Sequence, residues 1–303
     1  MAVGERVETA QESGPSRAAP GPRRLSGREY LQILKRSFKK FRADNLTSVA
    51  AALAYYGFLA IPSVLLMAVG IFGLVSNPDG AASLVDRLSG VMPEEAQTLL
   101  KDSLARLTER NGTSLTILVF GTLLALWSLT GAMQNVMWGL NIAYEREETR
   151  GFVRKRLTAL RMIAFAGGAV LLVFALLVLG PHMVTWISDA VGSESAVRWV
   201  WWTAQWPILL LGLLVAFGGI LYLGPNVEQR RWSFLSFGAL LAIILFLVLS
   251  GAFAFYASRF GSYNKTWGSL SAVVVMLIWL WLSSVALLFG AEVNAETQRS
   301  RAR

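Results

Sequence analysis

Within its apolar stretches this 303-residue chain offers amides and phenols in place of charges, and that bounds the chemistry it can do. Tyr55, Tyr56, Gln134, Asn135, Asn141, Tyr144, Tyr222, Asn226, Tyr256, Tyr263 and Asn264, together with Lys265, stand in or beside those stretches. Gln134 and Asn141 share a helix face with Thr130, because offsets of four and seven return to the same side. Asn135 lies on an adjacent face with Trp127, Gly131 and Trp138. Such groups either line a path for a polar substrate or hydrogen-bond helix to helix, and an amide left unpaired in lipid is costly. A second set is charged and flanks the apolar stretches: Glu148, Arg150, Arg154, Lys155 and Arg156 in one basic loop, and Glu292 with Asn294 near the C-terminus. The cations of the loop can attract an anionic headgroup. Glu292 reads as a salt bridge or cap beside the basic loops, with gating as the lesser reading. Carboxylates at membrane mid-depth are the usual mark of a proton or ion relay. None stands in the middle of these stretches, which argues against a proton-coupled pump with a central acidic residue. The chain has one His and no Cys. His182, beside Trp186, reads as structural, since a metal site needs several ligands. No catalytic residue, metal ligand or cofactor is assigned.

The elements that must position these residues are membrane helices. Only 16% of the residues are charged, against about 25% in a soluble domain. Six windows, 45–78, 111–144, 162–188, 199–227, 232–258 and 266–291, hold no Asp, Glu, Lys or Arg and run 26 to 34 residues each. A helix needs about 20 apolar residues to cross a bilayer, and backbone amides in lipid must pair within the segment. The buried helices of a soluble bundle would need a polar outer stripe, which Ala169–Gly180 and Ala239–Leu249 lack. The expectation is an all-α membrane protein: a six-transmembrane-helix bundle over 45–298 with short amphipathic surface helices. The spans fall at about 48–76, 113–141, 160–180, 201–224, 233–257 and 268–290. With six spans, the side carrying both termini holds 21 of the 28 Lys and Arg. The positive-inside rule makes that side the cytoplasm, and it accounts for the net charge of +9 without a nucleic-acid partner.

Residues 1–27 are rich in Gly, Pro, Ser, Arg and Glu and read as a disordered cytoplasmic tail without a signal peptide; 299–303 form a second short tail. Between the first tail and the bundle, 28–44 carry Leu31, Leu34, Phe38 and Phe41 at helical spacing amid Lys35, Arg36, Lys39, Lys40 and Arg42. That is the pattern of a basic helix lying on the inner leaflet near anionic lipid headgroups, as a topological anchor or as a sensor. Pro62 interrupts the first span and frees a carbonyl there, a feature of kinked spans beside substrate paths and of plain packing alike. On the outer side, Pro93-Glu94-Glu95 opens a helix start, and Leu100, Leu104 and Leu107 follow as an apolar stripe. The loop 79–112 is therefore expected to cap the outer face with one or two short amphipathic helices.

Three segments resemble the YihY/BrkB family of bacterial inner-membrane proteins, once labelled ribonuclease BN-like. They are Ala50–Leu66 with its alanine run, tyrosine pair and proline; Trp127–Leu157 with Asn141, Tyr144, Glu148, Arg150 and Arg156; and Tyr222–Asn294 with YLGPN, Tyr256, Tyr263, Asn264, Lys265, Gly268, Trp279, Gly290, Glu292 and Asn294. Trp267 stands where the family pattern has Tyr and keeps an aromatic at the interface. The resemblance implies six helices, a bacterial inner-membrane location and no established activity. The old ribonuclease label fails a chemical test, because phosphodiester hydrolysis commonly uses metal ions held by His and carboxylates or a positioned acid–base pair. With one His, no Cys and no soluble catalytic domain, the chain is not expected to be an enzyme.

Two functions fit. The first is a transporter or lipid-handling protein for an amphipathic or anionic substrate, a lipid or small solute, entering from the inner leaflet. Arg150, Arg154 and Lys155 would attract it, and Gln134, Asn135, Asn141 and Tyr56 would line its path. The second is an envelope scaffold whose polar motifs serve packing and partner contact. A polar cavity at mid-depth favours the first; a filled centre favours the second.

Overall fold

A computed structural model describes residues 26–75, 114–227, 236–259 and 269–302. The first 25 residues, the loop 79–112 expected on the outer side and the segment with Tyr263, Asn264 and Lys265 lie outside the described residues. Seven helices and no strand occur among the described residues: α1 (Gly27–Ala43), α2 (Leu46–Val75), α3 (Ser114–Ala143), α4 (Phe152–Val191), α5 (Glu194–Leu223), α6 (Phe237–Arg259) and α7 (Ser269–Ala302).

Local chemistry sets several of the ends. A capping box opens α1: the Glu29 backbone N–H donates to Ser26 Oγ (3.4 Å), and the Ser26 N–H donates to Glu29 Oε2 (2.6 Å). Two orphan donors are thereby satisfied reciprocally. Lys40 and Arg42 occupy the last turn, where cations suit the helix dipole. Asn45 then takes a left-handed backbone (φ 50), a conformation that Asn tolerates better than most residues, and α2 leaves at 69° to α1. Between α4 and α5 the reversal falls on Gly192, whose φ of 75 suits glycine.

Three helices, α4, α5 and α7, run longer than the spans read from charge alone. Helix α4 has 40 residues, about 60 Å of rod, so the span expected at 160–180 is the middle of it, and the first left-handed backbone comes only at Gly192. Helix α7 continues past the apolar stretch that ends at Ala291 and takes in the residues read as a short tail, through Ala302. Among the described residues four helices, α4 to α7, are long and apolar enough to cross a membrane, and α1 with α2 makes a fifth candidate as one bent element.

Helix α7 is the hub, packing against α6, α2, α1, α3 and α5. Its closest neighbour is α6, because both carry small residues at the crossing. A Cβ on Gly238 would collide with the Gly290 carbonyl oxygen, and one on Gly290 would stand 2.6 Å from Ala242 Cβ. Small residues are what permit such backbone approach in membranes. The buried core, with Leu46, Leu53, Leu140, Met162, Leu221 and Leu288, sits at the end of the bundle where α1 turns into α2 and α7 leaves its apolar stretch. Away from that end large apolar side chains face outward, Leu124, Leu171 and Trp199 among them at 67–70% exposure. Such a surface suits lipid rather than water.

Candidate functional site at the polar end of the bundle

Arg150 is the fixed point of this end. From Ala143 the chain turns through Glu145, which has a positive φ of 53, and comes back to start α4 at Phe152. Inside that loop Glu148 Oε1 accepts from Arg150 Nε (2.8 Å) and from the Arg150 backbone N–H (3.0 Å). Glu148 Oε2 accepts from Arg150 Nη2 (2.7 Å) and from Asn141 Nδ2 (2.9 Å). The guanidinium also donates to Leu223 O (3.1 Å) and Gly224 O (2.7 Å), carbonyls of the kind a helix leaves unpaired at its C-terminus. Asn226 closes the ring: its backbone N–H donates to Asn141 Oδ1 (2.7 Å), and its Nδ2 donates to Glu147 O and Thr149 Oγ1 (2.8 Å each). Burial pushes the Glu148 carboxyl up, but the hydrogen bonds and charge of Arg150 and the bond from Asn141 outweigh it and hold the group below the usual carboxylate range. The loop, the end of α3 and the end of α5 are thus one unit.

Beside this clamp a cleft of about 290 Å³ opens between the start of α4 and the end of α5. Arg150 lies at its edge, Arg154 and Arg161 line it from α4, and Tyr222 and Asn226 face them from α5 and its exit. Leu157, Leu223, Pro225 and Val227 supply apolar wall. Arg154 and Arg161 are seven residues apart and so share a helix face. Both are exposed, and neither pairs with a carboxylate among the described residues. A pocket with two guanidinium groups that meet no carboxylate among the described residues, and with an aliphatic wall, can hold a phosphate or carboxylate bearing an apolar part.

A second cluster lies where α1 crosses α7. Phe289, Glu292, Glu296 and Arg299 follow one another at offsets of three, seven and ten, one face of α7, and that face meets α1. The Phe41 and Phe289 rings touch (5.6 Å between centroids). Glu296 takes Arg36 at 3.5 Å and Lys40 at 3.9 Å, and Arg36 Nη2 donates to Ser300 Oγ (3.0 Å). Lys40 also pairs with Glu145, which Arg299 meets at 3.1 Å. The Lys40 hydrogen bond, more than any other influence, holds the Glu145 carboxyl below its usual range. Glu292, the first residue past the charge-free stretch, is 0% exposed, and neither carboxylate oxygen accepts a hydrogen bond among the described residues. Its nearest cation is Arg299 Nη1, at 3.8 Å. Burial pushes its carboxyl up to about 7, against the pull of Lys40 and Arg299 and with Asp44 and Glu296 adding to the rise. Burial likewise pushes the Tyr144 hydroxyl up, and the nearby Asn294 pulls it back in part. Asn294 itself caps α6, its Oδ1 accepting from the Gly238 N–H (2.9 Å) and its Nδ2 donating to Ser236 Oγ (3.0 Å).

Residues 37–303 match the family model described as virulence factor BrkB. The chain belongs to the BrkB family. It is 30% identical to the ribonuclease-like protein YfkH of Bacillus subtilis (strain 168) over 267 residues, covering 88% of this chain and 94% of that one. It is 28% identical to the UPF0761 membrane protein azo3165 of Azoarcus sp. (strain BH72) over 282 residues, covering 88% of this chain and 63% of the relative. With RC1_0578 of Rhodospirillum centenum, also a UPF0761 membrane protein, identity is 27% over 289 residues, or 92% of this chain and 61% of the relative. The chain thus spans nearly all of the Bacillus relative but about three-fifths of the other two. No solved structure matches it.

In this BrkB-family chain the polar residues picked out from the sequence divide among several places. Asn141, Glu148, Arg150 and Asn226 meet in the clamp, and Arg154 and Tyr222 join Arg150 and Asn226 at the cleft. Arg156 turns to α3 instead: its guanidinium stacks 3.8 Å over the Trp127 ring, and it donates to Trp127 O (3.1 Å) and to Thr130 Oγ1. Lys155 sits in the first turns of α4, its backbone N–H donating to Gly151 O. Asn135 bonds back to Gly131 O within its own helix (3.0 Å), and the buried Gln134 Nε2 has no partner among the described residues. Tyr55 and Tyr56 stack edge-on and face outward, as does Tyr256 beside Phe253, and Pro62 is exposed within α2. Arg161, Asp44, Glu296 and Arg299 were not singled out from sequence, and Lys40 was read only as one cation of the basic helix 28–44. The seven-residue spacing of Arg154 and Arg161 was a usable signal; the α1–α7 pairings, some 250 residues apart in sequence, left none.

Proposed function

We propose that this chain crosses the bacterial inner membrane six times with both termini in the cytoplasm, and that it handles an amphipathic or anionic substrate, a lipid or a solute, at its cytoplasmic face. The charge-free windows and the excess of Lys and Arg on the side of the termini support the topology. The observation that carries the activity is the α4–α5 cleft, with Arg154 and Arg161 exposed beside an aliphatic wall and without a carboxylate partner among the described residues. Anionic lipids of the inner leaflet are the partners this chemistry suits. No reaction is assigned: the ribonuclease-like name of the Bacillus relative is not carried over to a chain with one His and no Cys.

Liposomes of mixed neutral and anionic lipid, with and without the reconstituted protein, test the proposal. Flux or leaflet exchange of a labelled anionic lipid above empty liposomes is expected, and it should fall at least tenfold in Arg154→Glu/Arg161→Glu. Equal rates in protein-bearing and empty liposomes would overturn it. The scaffold reading draws on a different observation, namely that Asn141, Glu148, Arg150, Asn226 and Asn294 all bind helix ends together. It predicts no flux, and stable co-purification with another envelope protein that Arg154→Glu/Arg161→Glu leaves intact.

A further inference from the structure

The α1–α7 junction holds a charge that its surroundings do not satisfy. Glu292 is enclosed with both oxygens lacking a donor, and three more buried atoms of this region, Ser37 Oγ, Asp44 Oδ2 and Arg299 Nη2, also lack hydrogen-bond partners among the described residues. Every cation within the network has a stronger attachment elsewhere: Arg299 Nη1 donates to Glu296 Oε1 at 2.8 Å, Lys40 pairs with Glu145, and Arg36 reaches Glu296 and Ser300. The groups facing Glu292 are Lys40 and Asp44 from α1 and the turn after it, Glu296 and Arg299 from α7 itself, and Tyr144 from the end of α3, with Glu145 next to it. Carboxylates in this set, Asp44, Glu145, Glu292 and Glu296, number four, and the cations Arg36, Lys40 and Arg299 number three. One proton balances them.

We propose that Glu292 is a proton-binding site whose occupancy sets how firmly α1 is held against α7. The proton forms an O–H bond with one carboxyl oxygen and leaves to bulk water; no other bond is made or broken. With the proton bound, Glu292 is neutral and the junction closes without an ionised group in a dry site. Once it leaves, a carboxylate without a hydrogen bond lies beneath α1, and such a group favours any arrangement that lets water reach it. Helix α1 is tied to this face of α7 through Phe41, Lys40 and Arg36, so loosening α1 gives water a way to the carboxylate. The outer face of α1 displays Leu31, Phe38, Lys35 and Lys39, so its release would change what this helix presents to the membrane surface. The inference is independent of what the α4–α5 cleft carries.

Because the chain has no Cys, a spin label on Gln32→Cys, an exposed α1 position outside the ion-pair network, reports α1 alone. In the full-length protein reconstituted in liposomes, label mobility should rise through a single one-proton transition as the pH goes from about 5 to 9. Glu292→Gln, neutral at every pH, should keep the label immobile throughout. Asp44→Asn removes a neighbouring negative charge and should move the transition to lower pH. A label whose mobility is flat with pH, or a transition that persists in Glu292→Gln, overturns the proposal. If Glu292→Gln fails to fold, the Asp44→Asn shift decides, and an unmoved or upward-moved transition overturns it equally.

Discussion

Glu148 and Glu292 are both carboxylates at the polar end of one bundle, each with an arginine within 4 Å, yet their surroundings act on them in opposite ways. Glu148 meets Arg150 in a two-pronged pair, accepts a further bond from Asn141 and keeps 22% of its side chain exposed. Glu292 faces Arg299 at 3.8 Å with no hydrogen bond and no exposure. The first is held below the ordinary carboxylate range and the second well above it. A nearby opposite charge is therefore not enough. Geometry decides whether its attraction exceeds the desolvation cost, and a long contact in a dry site loses to burial.

Breaking the satisfied side should have the largest effect. Arg150→Ala leaves Glu148 without its guanidinium and reopens the carbonyls of Leu223 and Gly224. A loss of about 2–4 kcal/mol is expected, in the lower part of the range for a broken buried pair because Glu148 is partly exposed. Arg150→Lys should recover little of it, since an ammonium cannot span both carboxylate oxygens and two carbonyls in the same plane. Thermal unfolding in detergent measures both.

Neutralising the two carboxylates in turn should give effects of opposite sign. Glu148→Gln is expected to cost about 1–2 kcal/mol near pH 8, whereas Glu292→Gln should raise stability there by at least a similar amount, a gain that shrinks as the pH falls and is nearly gone below the unfolded value of 4.5. For Glu292 the folded group still holds its proton up to about 7, while the unfolded group releases it near 4.5. The folded state thus binds more protons between those values, and stability falls as the pH rises through that window and then levels off. For Glu148 the folded value is depressed, so its contribution is present above the unfolded value and disappears as the pH falls through the folded one. Unfolding midpoints of the wild type and both variants across about pH 4 to 9 test this; a parallel loss in both variants would erase the contrast.

The smallest effect should come from a cation whose main partner is neither carboxylate. Arg156 lies over Trp127 and binds α3 through Trp127 O and Thr130. Arg156→Lys is expected to lower stability by about 0.5–1 kcal/mol with the pH profile unmoved, because no titrating group shares the contact. A changed pH profile would show that Arg156 is electrically linked to one of the two carboxylates.

Helix content was readable because its cause is local: long charge-free runs leave backbone amides no partner but their own segment. Helix ends were less so. The chain is already helix from Phe152, ahead of the charge-free window at 162–188, and α7 stays helix through Ala302, past the window that ends at 291, because charge marks where lipid ends and not where hydrogen bonding ends. The clamp residues Asn141, Glu148, Arg150 and Asn226 were visible as polar types in the right segments, but their joint task was not, since Arg150 is 73 and 74 residues from the carbonyls it caps.

What the sequence by itself determined is the class of the protein: long apolar stretches free of charge that fold as helices, and the motifs that place it with the BrkB family. What only the tertiary structure decided is which charges are satisfied. Hydrogen bonds have to close to about 3 Å to offset desolvation, and only the tertiary fold brings the Leu223 and Gly224 carbonyls and Asn226 within that reach of the Glu148–Arg150–Asn141 unit while closing over Glu292 without bringing it a donor.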